Sequence, residues 1–218
     1  MQNDATVERV ASATPRLAMI LIGYIPILHV IACIAIWFIP QSIAIRATAF
    51  VIALYVIPPL AARIPHIDPG SYPMHLGWWW SQQWQTLFNR FRFLEEVLRL
   101  VPSLYSMWLR LWGSHIGKLV YWGPRVAILD RGLIDVGDSV VFGASVRISS
   151  HLFANGELLI APVKIGASTI VGGFSLLAPG VVIGENESTP AFSTTLMPSS
   201  SSAAWSSAAA SVSERAAI

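Results

Sequence analysis

Polar and apolar positions follow three patterns along the chain. From Leu17 to Ile39, and again from Ala47 to Ala62, apolar residues run without an Asp, Glu, Lys or Arg. From Trp78 to Val101, aromatic and aliphatic residues interleave with Arg and Glu at the spacing of an amphipathic helix. From Ile116 to Gly184 a large apolar residue opens six-residue units at Ile116, Val136, Phe142, Ile148, Ile165, Val171, Leu177 and Ile183, most of them followed by Gly. A period of six predicts a β-solenoid, each unit being one short strand and a turn. The opening side chain points into a narrow prism, and the next position, suited to Gly, turns the corner. The phase lapses between Trp122 and Ile134, where Pro124 and Asp130-Arg131-Gly132 intervene, and it fades through Glu185–Thr195. About five coils are expected.

The first apolar run, 23 residues from Leu17 to Ile39, would reach about 35 Å as a helix, enough to cross a bilayer core. It contains Pro26, which predicts a kink, and His29, which is either a site near the membrane or a neutral ring bonded to a neighbouring helix. The second run lies between Arg46 and Arg63; with Ile43–Ile45 it spans, or it forms a re-entrant hairpin. Arg9 and Arg16 precede the first span, and Arg63, Arg90, Arg92 and Arg99 follow the second, against Arg46 alone between them. The expectation is a multi-pass membrane protein with both termini and the solenoid on the cytoplasmic side.

Residues Ile64–Pro73, rich in Pro and Gly, read as a linker. The Trp78-Trp79-Trp80 and Trp84 indoles then begin the amphipathic helix, which lies on the membrane surface or packs on the spans or the solenoid. Ser103–Gly113 reads as a short helix capping the first coil. The expected organisation is a membrane anchor over 1–72, an interfacial helical connector over 73–113, the β-helix over 114–198 and a disordered Ser/Ala-rich tail over 199–218.

Composition sharpens this picture. Apolar residues make up 54% of the 218 and charged residues only 12%, about half the charged share of an ordinary soluble domain. The net charge is +2, and only two of the basic residues are Lys, so no nucleic-acid footprint is present. Cys33 is the single cysteine, which excludes an internal disulfide and a cysteine zinc cluster.

The stretch Ile148-Ser149-Ser150-His151, followed by the irregular Leu152–Pro162, Val163-Lys164-Ile165-Gly166 and Ala178-Pro179-Gly180-Val181-Val182-Ile183-Gly184, resembles the hexapeptide-repeat acyltransferases. The resemblance covers roughly 104–198 and implies a left-handed parallel β-helix behind the membrane helices. Leu109–Gly117 looks like the membrane-linked branch, including β-helical domains fused to some peptide synthetases. It also implies a homotrimer with clefts between subunits and His151 as the catalytic base, acting on an acyl thioester of CoA or of a carrier-protein phosphopantetheine. A neutral imidazole suits that role near pH 7. Lys164, Gly172, Gly173, Ala178 and Gly180 are the candidate donor-binding residues, with Lys164 meeting a donor phosphate and the small residues admitting a pantetheine arm.

Glu157 or Asp138 is a candidate to orient the His151 ring. Asp130 and Asp135 read as turn formers or as a carboxylate pair for acid/base chemistry. The acceptor is a hydroxyl or amine, on a membrane-associated molecule or a peptide. The coils carry two histidines, His115 and His151, short of the three of β-helical carbonic anhydrases, so no metal is expected. The other reading is a non-catalytic membrane-anchored β-helical scaffold in a biosynthetic complex.

Overall fold

The computed structural model describes residues 16–101, 103–154 and 156–195. The expected tail over 199–218, and Leu196–Pro198 as the close of the last coil, lie outside the described residues. The chain forms two compact units, Met1–Ile67 with His75–Leu87, and Asp68–Met74 with Phe88–Ile218.

In the first unit a helical stretch over 16–22 is followed by α1 (Ile25–Ala35), which ends in a 3₁₀ turn over Ile36–Phe38, and by α2 (Ile43–Tyr55) and α3 (Ile57–Ala62). The turn at 23–24 comes just before Pro26, and α2 gives way to α3 just before Pro58 and Pro59. Proline has no N–H to donate and fits the first turn of a new helix better than the middle of an old one. The segments Arg16–Phe38 and Ile43–Ala62 are long and apolar enough to cross a membrane by length and composition.

α4 (Leu76–Arg90) contributes its residues through Leu87 to this unit. The indole N–H of Trp79 donates to the Met19 carbonyl at 2.9 Å, and that of Trp80 to Ala61 at 2.8 Å. The tryptophan stripe therefore packs on the apolar helices, and its indoles add a second donor to carbonyls near their breaks and ends. His29 is buried, with Nε2 2.9 Å from the Ala53 carbonyl and its ring against Trp84. Of its two readings, the structure shows the tie between helices.

The second unit carries α5 (Phe93–Arg99) and α6 (Leu104–Leu111), then three four-stranded parallel sheets. The first sheet stacks β2 (His115–Ile116), β5 (Ile134–Val136), β10 (Val163–Ile165) and β13 (Val182–Ile183). The second stacks β3 (Tyr121–Trp122), β6 (Val141–Phe142), β11 (Ile170–Val171) and β14 (Ser188–Thr189). The third stacks β4 (Ala127–Ile128), β7 (Arg147–Ile148), β12 (Leu176–Leu177) and β15 (Thr194–Thr195). The chain visits the sheets in rotation, so each coil lies in parallel register on the one before.

The registers align Ile116 with Val136, then Ile165 and Ile183; Trp122 with Phe142, then Val171 and Thr189; and Ile128 with Ile148, then Leu177 and Thr195. Phe142, Ile148, Val171 and Leu177 have no exposed surface. Trp122 and Ile128 thus keep the period where the sequence reading lets it lapse, and the last coil continues with Thr189 and Thr195 in place of aliphatic residues. The described residues make four coils where about five were expected.

The glycines after the opening residues have a different role from the one expected. The corner residue in the left-handed backbone region comes two positions later and is not glycine: Ser139, Ser145, Ser168 and Phe174 have φ of 57°, 60°, 56° and 59°. The glycines are where successive coils touch. A Cβ on Gly143 would stand 2.4 Å from Gly173 N, and one on Gly172 2.4 Å from Ala191 N. Only hydrogen fits between backbones that close.

The coil is interrupted once, by a regular insertion. β8 (His151–Ala154) and β9 (Glu157–Ile160) form an antiparallel hairpin whose outer edge pairs with β1 (Gly70–Tyr72). The irregular Leu152–Pro162 excursion is therefore corrected to a hairpin, and the Ile64–Pro73 linker contains one strand, Gly70–Tyr72. Pairing buries Leu158, Leu159 and Ile160 and gives the Pro-rich segment a strand partner that local propensity does not announce.

Helices α5 and α6 close the open first coil through a buried ionic cluster. Glu95, 2% exposed, accepts from Arg131 Nε at 2.8 Å and from Arg131 NH2, and its other oxygen accepts from Arg99 at 3.1 Å and the Tyr105 hydroxyl at 2.9 Å. Arg131 also donates to Asn89 Oδ1 and lies beside the rings of Phe88, Trp108 and Trp112. Burial pushes the Tyr105 hydroxyl pKa up, and the Glu95 charge adds to the shift. Replacing Glu95 with Leu leaves two buried guanidinium groups without this counter-charge. Glu95→Leu is expected to lower the stability of the detergent-solubilised chain by about 3–5 kcal/mol in denaturant unfolding. Val182→Thr, on an exposed strand face, should leave stability within about 0.5 kcal/mol.

Candidate active site

The polar residues of interest gather on the edge of the prism where the third sheet hands over to the first. That edge is made by residues 129–133, by 149–162 with the hairpin, and by 178–181. His151 opens β8 at the point where the regular coil is left, so hairpin pairing and coil stacking together set its backbone. On the preceding coil, Asp130 is 2% exposed, and its Oδ2 lies 2.7 Å from His151 Nδ1 and accepts from Ser150 N at 2.9 Å. The Ser150 hydroxyl donates to the Leu133 carbonyl at 2.8 Å, and the Ser149 hydroxyl to the His151 carbonyl at 2.8 Å.

This corrects the choice of ring partner. Asp130, not Asp138 or Glu157, meets the imidazole. Asp138 Oδ1 accepts from Lys118 N at 2.6 Å, and Glu157 accepts from the Ser71 hydroxyl across β1 and β9. Asp130 and Asp135 do not form a carboxylate pair either. Asp135 is exposed on β5, in register with His115 on one side and Lys164 on the other.

Asp130 was detectable in the sequence through the repeat itself. Ile128 pairs with Ile148, so the same offset carries Asp130 to Ser150, one residue before His151. Reading Trp122 and Ile128 as coil openers would have placed the carboxylate beneath the histidine. The hairpin had a sequence signal too, since Asn155-Gly156 is a strong two-residue turn sequence, and Gly156 has the positive φ of 82° that such a turn needs.

The five expected donor-binding residues separate into three places. Ala178 and Gly180 share the edge with His151, where Gly180 N donates to the Ala161 carbonyl at 3.3 Å and Ala161 N to Ser150 at 2.9 Å. Lys164 is exposed on β10, in the adjoining face. Gly172 and Gly173 lie at a different edge, between the second and third sheets, beside the exposed stacked rings of Phe174 and Phe192. Within one chain they are not gathered around His151. Among the described residues no three His, Cys, Asp or Glu side chains converge as a metal site.

Chemically, a buried carboxylate bonded to Nδ1 fixes the imidazole tautomer and orientation and puts the basic lone pair on Nε2. The same carboxylate stabilises the imidazolium formed when that nitrogen takes a proton. Such a pair serves as a general base for a hydroxyl or amine.

No protein-family profile matches the chain. Galactoside O-acetyltransferase of Escherichia coli (strain K12) is 32% identical over 79 residues, which are 33% of this chain and 39% of that protein. Delta-poly-L-ornithine synthetase of Acinetobacter baumannii is 21% identical over 148 residues, 66% of this chain and 11% of the synthetase. The chain therefore spans less than half the length of either curated relative. Among solved structures, a maltose O-acetyltransferase from Clostridium difficile 630 aligns with a TM-score of 0.39 and 18% identity, over 51% of this chain and 77% of that one. A galactoside acetyltransferase in complex with coenzyme A aligns with a TM-score of 0.31 and 19% identity, over 50% of this chain and 74% of that one. In sequence the chain is thus similar to part of a galactoside O-acetyltransferase and, at lower identity, to part of a poly-ornithine synthetase.

Proposed function

We propose that the chain is a membrane-anchored acyltransferase that moves a short acyl group, acetyl or near it, from a thioester to a hydroxyl or amine. The observation that supports this reading best is the 2.7 Å contact between His151 Nδ1 and the buried Asp130 carboxylate at the mouth of a coil insertion. The sequence kinship with a galactoside O-acetyltransferase agrees with it. In this reading His151 Nε2 takes the proton from the acceptor as its oxygen or nitrogen attacks the thioester carbonyl. The tetrahedral oxyanion then collapses with cleavage of the C–S bond, and the imidazolium returns its proton to the leaving thiolate.

Acyl-CoA is the donor favoured, since one structural neighbour is a galactoside acetyltransferase holding coenzyme A; an acyl-phosphopantetheine on a carrier protein presents the same arm. The left-handed sense of the coil and a homotrimeric assembly belong to this proposal. A neighbouring subunit would bring the Gly172-Gly173 edge to the His151 edge that it does not reach within one chain. In this reading the apolar helices of the first unit are the anchor, 73–113 the helical connector and the coil from residue 114 onward the catalytic part, with Gly70–Tyr72 belonging by its strand pairing to the second unit. The acceptor is a molecule held at the membrane, consistent with the two apolar helical segments.

Two experiments test these points. Thioester consumption against pooled membrane extract should fall at least about a hundredfold in His151→Ala and comparably in Asp130→Asn, with assembly unchanged by gel filtration in detergent. Turnover equal to wild type in His151→Ala removes the histidine from the reaction; no turnover and no CoA binding by any form leaves the non-catalytic scaffold. Separately, reporter fusions after Ser12, Ser42 and Ser200 should read cytoplasmic, external and cytoplasmic, and an external reading at Ser200 reverses the orientation.

A further inference from the structure

The β-turn that presents Asp130 is gripped by the capping helices. Leu133 N donates to the Asp130 carbonyl at 3.1 Å, with Arg131 and Gly132 at the centre of the turn. The Asp130 carboxylate reaches Ser150 N and His151 Nδ1. The next residue, Arg131, is only 1% exposed and engages the cap instead: Nε at 2.8 Å and NH2 donate to Glu95, and NH1 donates to Asn89 Oδ1 at 3.0 Å. The Arg131 carbonyl accepts from the Ser114 hydroxyl, and a Cβ on Gly132 would stand 2.8 Å from the carbonyl of Trp112, where α6 ends. All these residues belong to the second unit.

A buried ion pair is a weak source of net stability, because desolvation offsets most of the attraction. Its geometry is the stronger contribution here. Three donors of one planar guanidinium, on two acceptors, fix both the position and the plane of the group, which a flexible ammonium of the same charge does not. Asp130 and Arg131 are consecutive, with Cα atoms about 3.8 Å apart, so a tilt of the turn that slackens the arginine also moves the carboxylate. The Asp130–His151 contact of 2.7 Å has little slack, since an added separation of about 1 Å takes it beyond hydrogen-bond range. Ser150 N holds the carboxylate from the histidine's own coil, and the clamp holds the turn from the cap.

We infer that Arg131 is a positioning residue for the proposed reaction, holding the turn through Glu95 and Asn89 so that Asp130 stays on His151 Nδ1. The cap of the solenoid thereby sets the orientation of the base. The rate effect rests on the acyl-transfer reading, whereas the contact behind it is measured without turnover. Arg131 acts through Asp130 and not on the substrate.

The contact is read by NMR of the full-length chain in detergent with isotope-labelled histidine. The His151 Nδ1–H signal, identified by its absence in His151→Gln, is expected in wild type and lost in Arg131→Lys, which keeps the charge opposite Glu95 but not the fork. Ser106→Ala removes the acceptor of the Trp122 indole, 2.9 Å away, and so loosens the cap elsewhere; it should keep the signal. Absence of the signal in wild type, its survival in Arg131→Lys or its loss in Ser106→Ala overturns the clamp.

Turnover tests the consequence. With acetyl-CoA and a fixed amount of membrane extract, Arg131→Lys should lower the maximal rate at least about tenfold and leave KM for acetyl-CoA within about twofold. In an Asp130→Ala background the same change should cost less than about twofold, because the contact it protects is gone. An equal loss in both backgrounds, or no loss in the wild-type background, overturns the positioning role. Where Arg131→Lys does not unfold cooperatively on heating, Asn89→Ala, which removes only the NH1 partner, replaces it with an expected fall of at least about threefold. The expected signal changes in a chain whose wild type consumes no acetyl-CoA remove the acyl-transfer reading, and the rate effect with it, and leave the clamp on His151 standing.

Discussion

The parallel register between coils is the constraint on which the second unit depends. Backbones approach closely enough at Gly143 and Gly172 that a methyl group would overlap the next coil, and each opening side chain rests on the one before it. The apolar column then excludes water along its length, as in Phe142, Ile148, Val171 and Leu177. Because register carries every residue of one coil to a definite partner on the next, it also decides which polar side chains meet. Asp130 reaches Ser150 and His151 as a consequence of Ile128 lying on Ile148.

Departures from the period are placed where something other than stacking is needed. The hairpin of β8 and β9 leaves the coil at His151 and returns at Ala161, which donates back to Ser150. Its apolar residues are covered by pairing with β1, and its base holds the imidazole beside a buried carboxylate. The short insertion at Asp130-Arg131 does two jobs on adjacent residues. Asp130 turns to the histidine, while Arg131 turns to Glu95 and the aromatic rings of the capping helices. The cap and the candidate site therefore share one segment of backbone, which couples the end of the solenoid to the site by covalent proximity.

Polar groups inside both units are largely paired, and the exceptions are informative. His29, Trp79 and Trp80 each tie helices through a backbone carbonyl of a neighbouring helix. Among the described residues the buried side-chain nitrogens without an acceptor are Arg46 Nε, Trp84 Nε1, Arg99 Nε and Trp112 Nε1.

The sequence by itself determined the repeat and the residues that fill it, because a solenoid interior selects one large apolar residue per unit and period is a local property. It likewise determined the two uncharged helical segments, the capping helix and the histidine next to an insertion. Tertiary structure decided the rest, and for physical reasons that single residues do not display. Glycine after each opener reads as a corner, yet only the next coil shows that it marks close approach, with Ser139, Ser145 and Phe174 turning the corner in the left-handed region. Asp130 reads as a turn former until the register sets it under His151, and Gly172-Gly173 reads as part of one site until the prism places it on another edge. Glu95 reads as a solvated charge on an amphipathic helix, but two arginines far along the chain or one turn away make it a buried anchor. Thr189 and Thr195 end the apolar pattern in sequence, whereas backbone pairing to β11 and β12 holds the last coil without it.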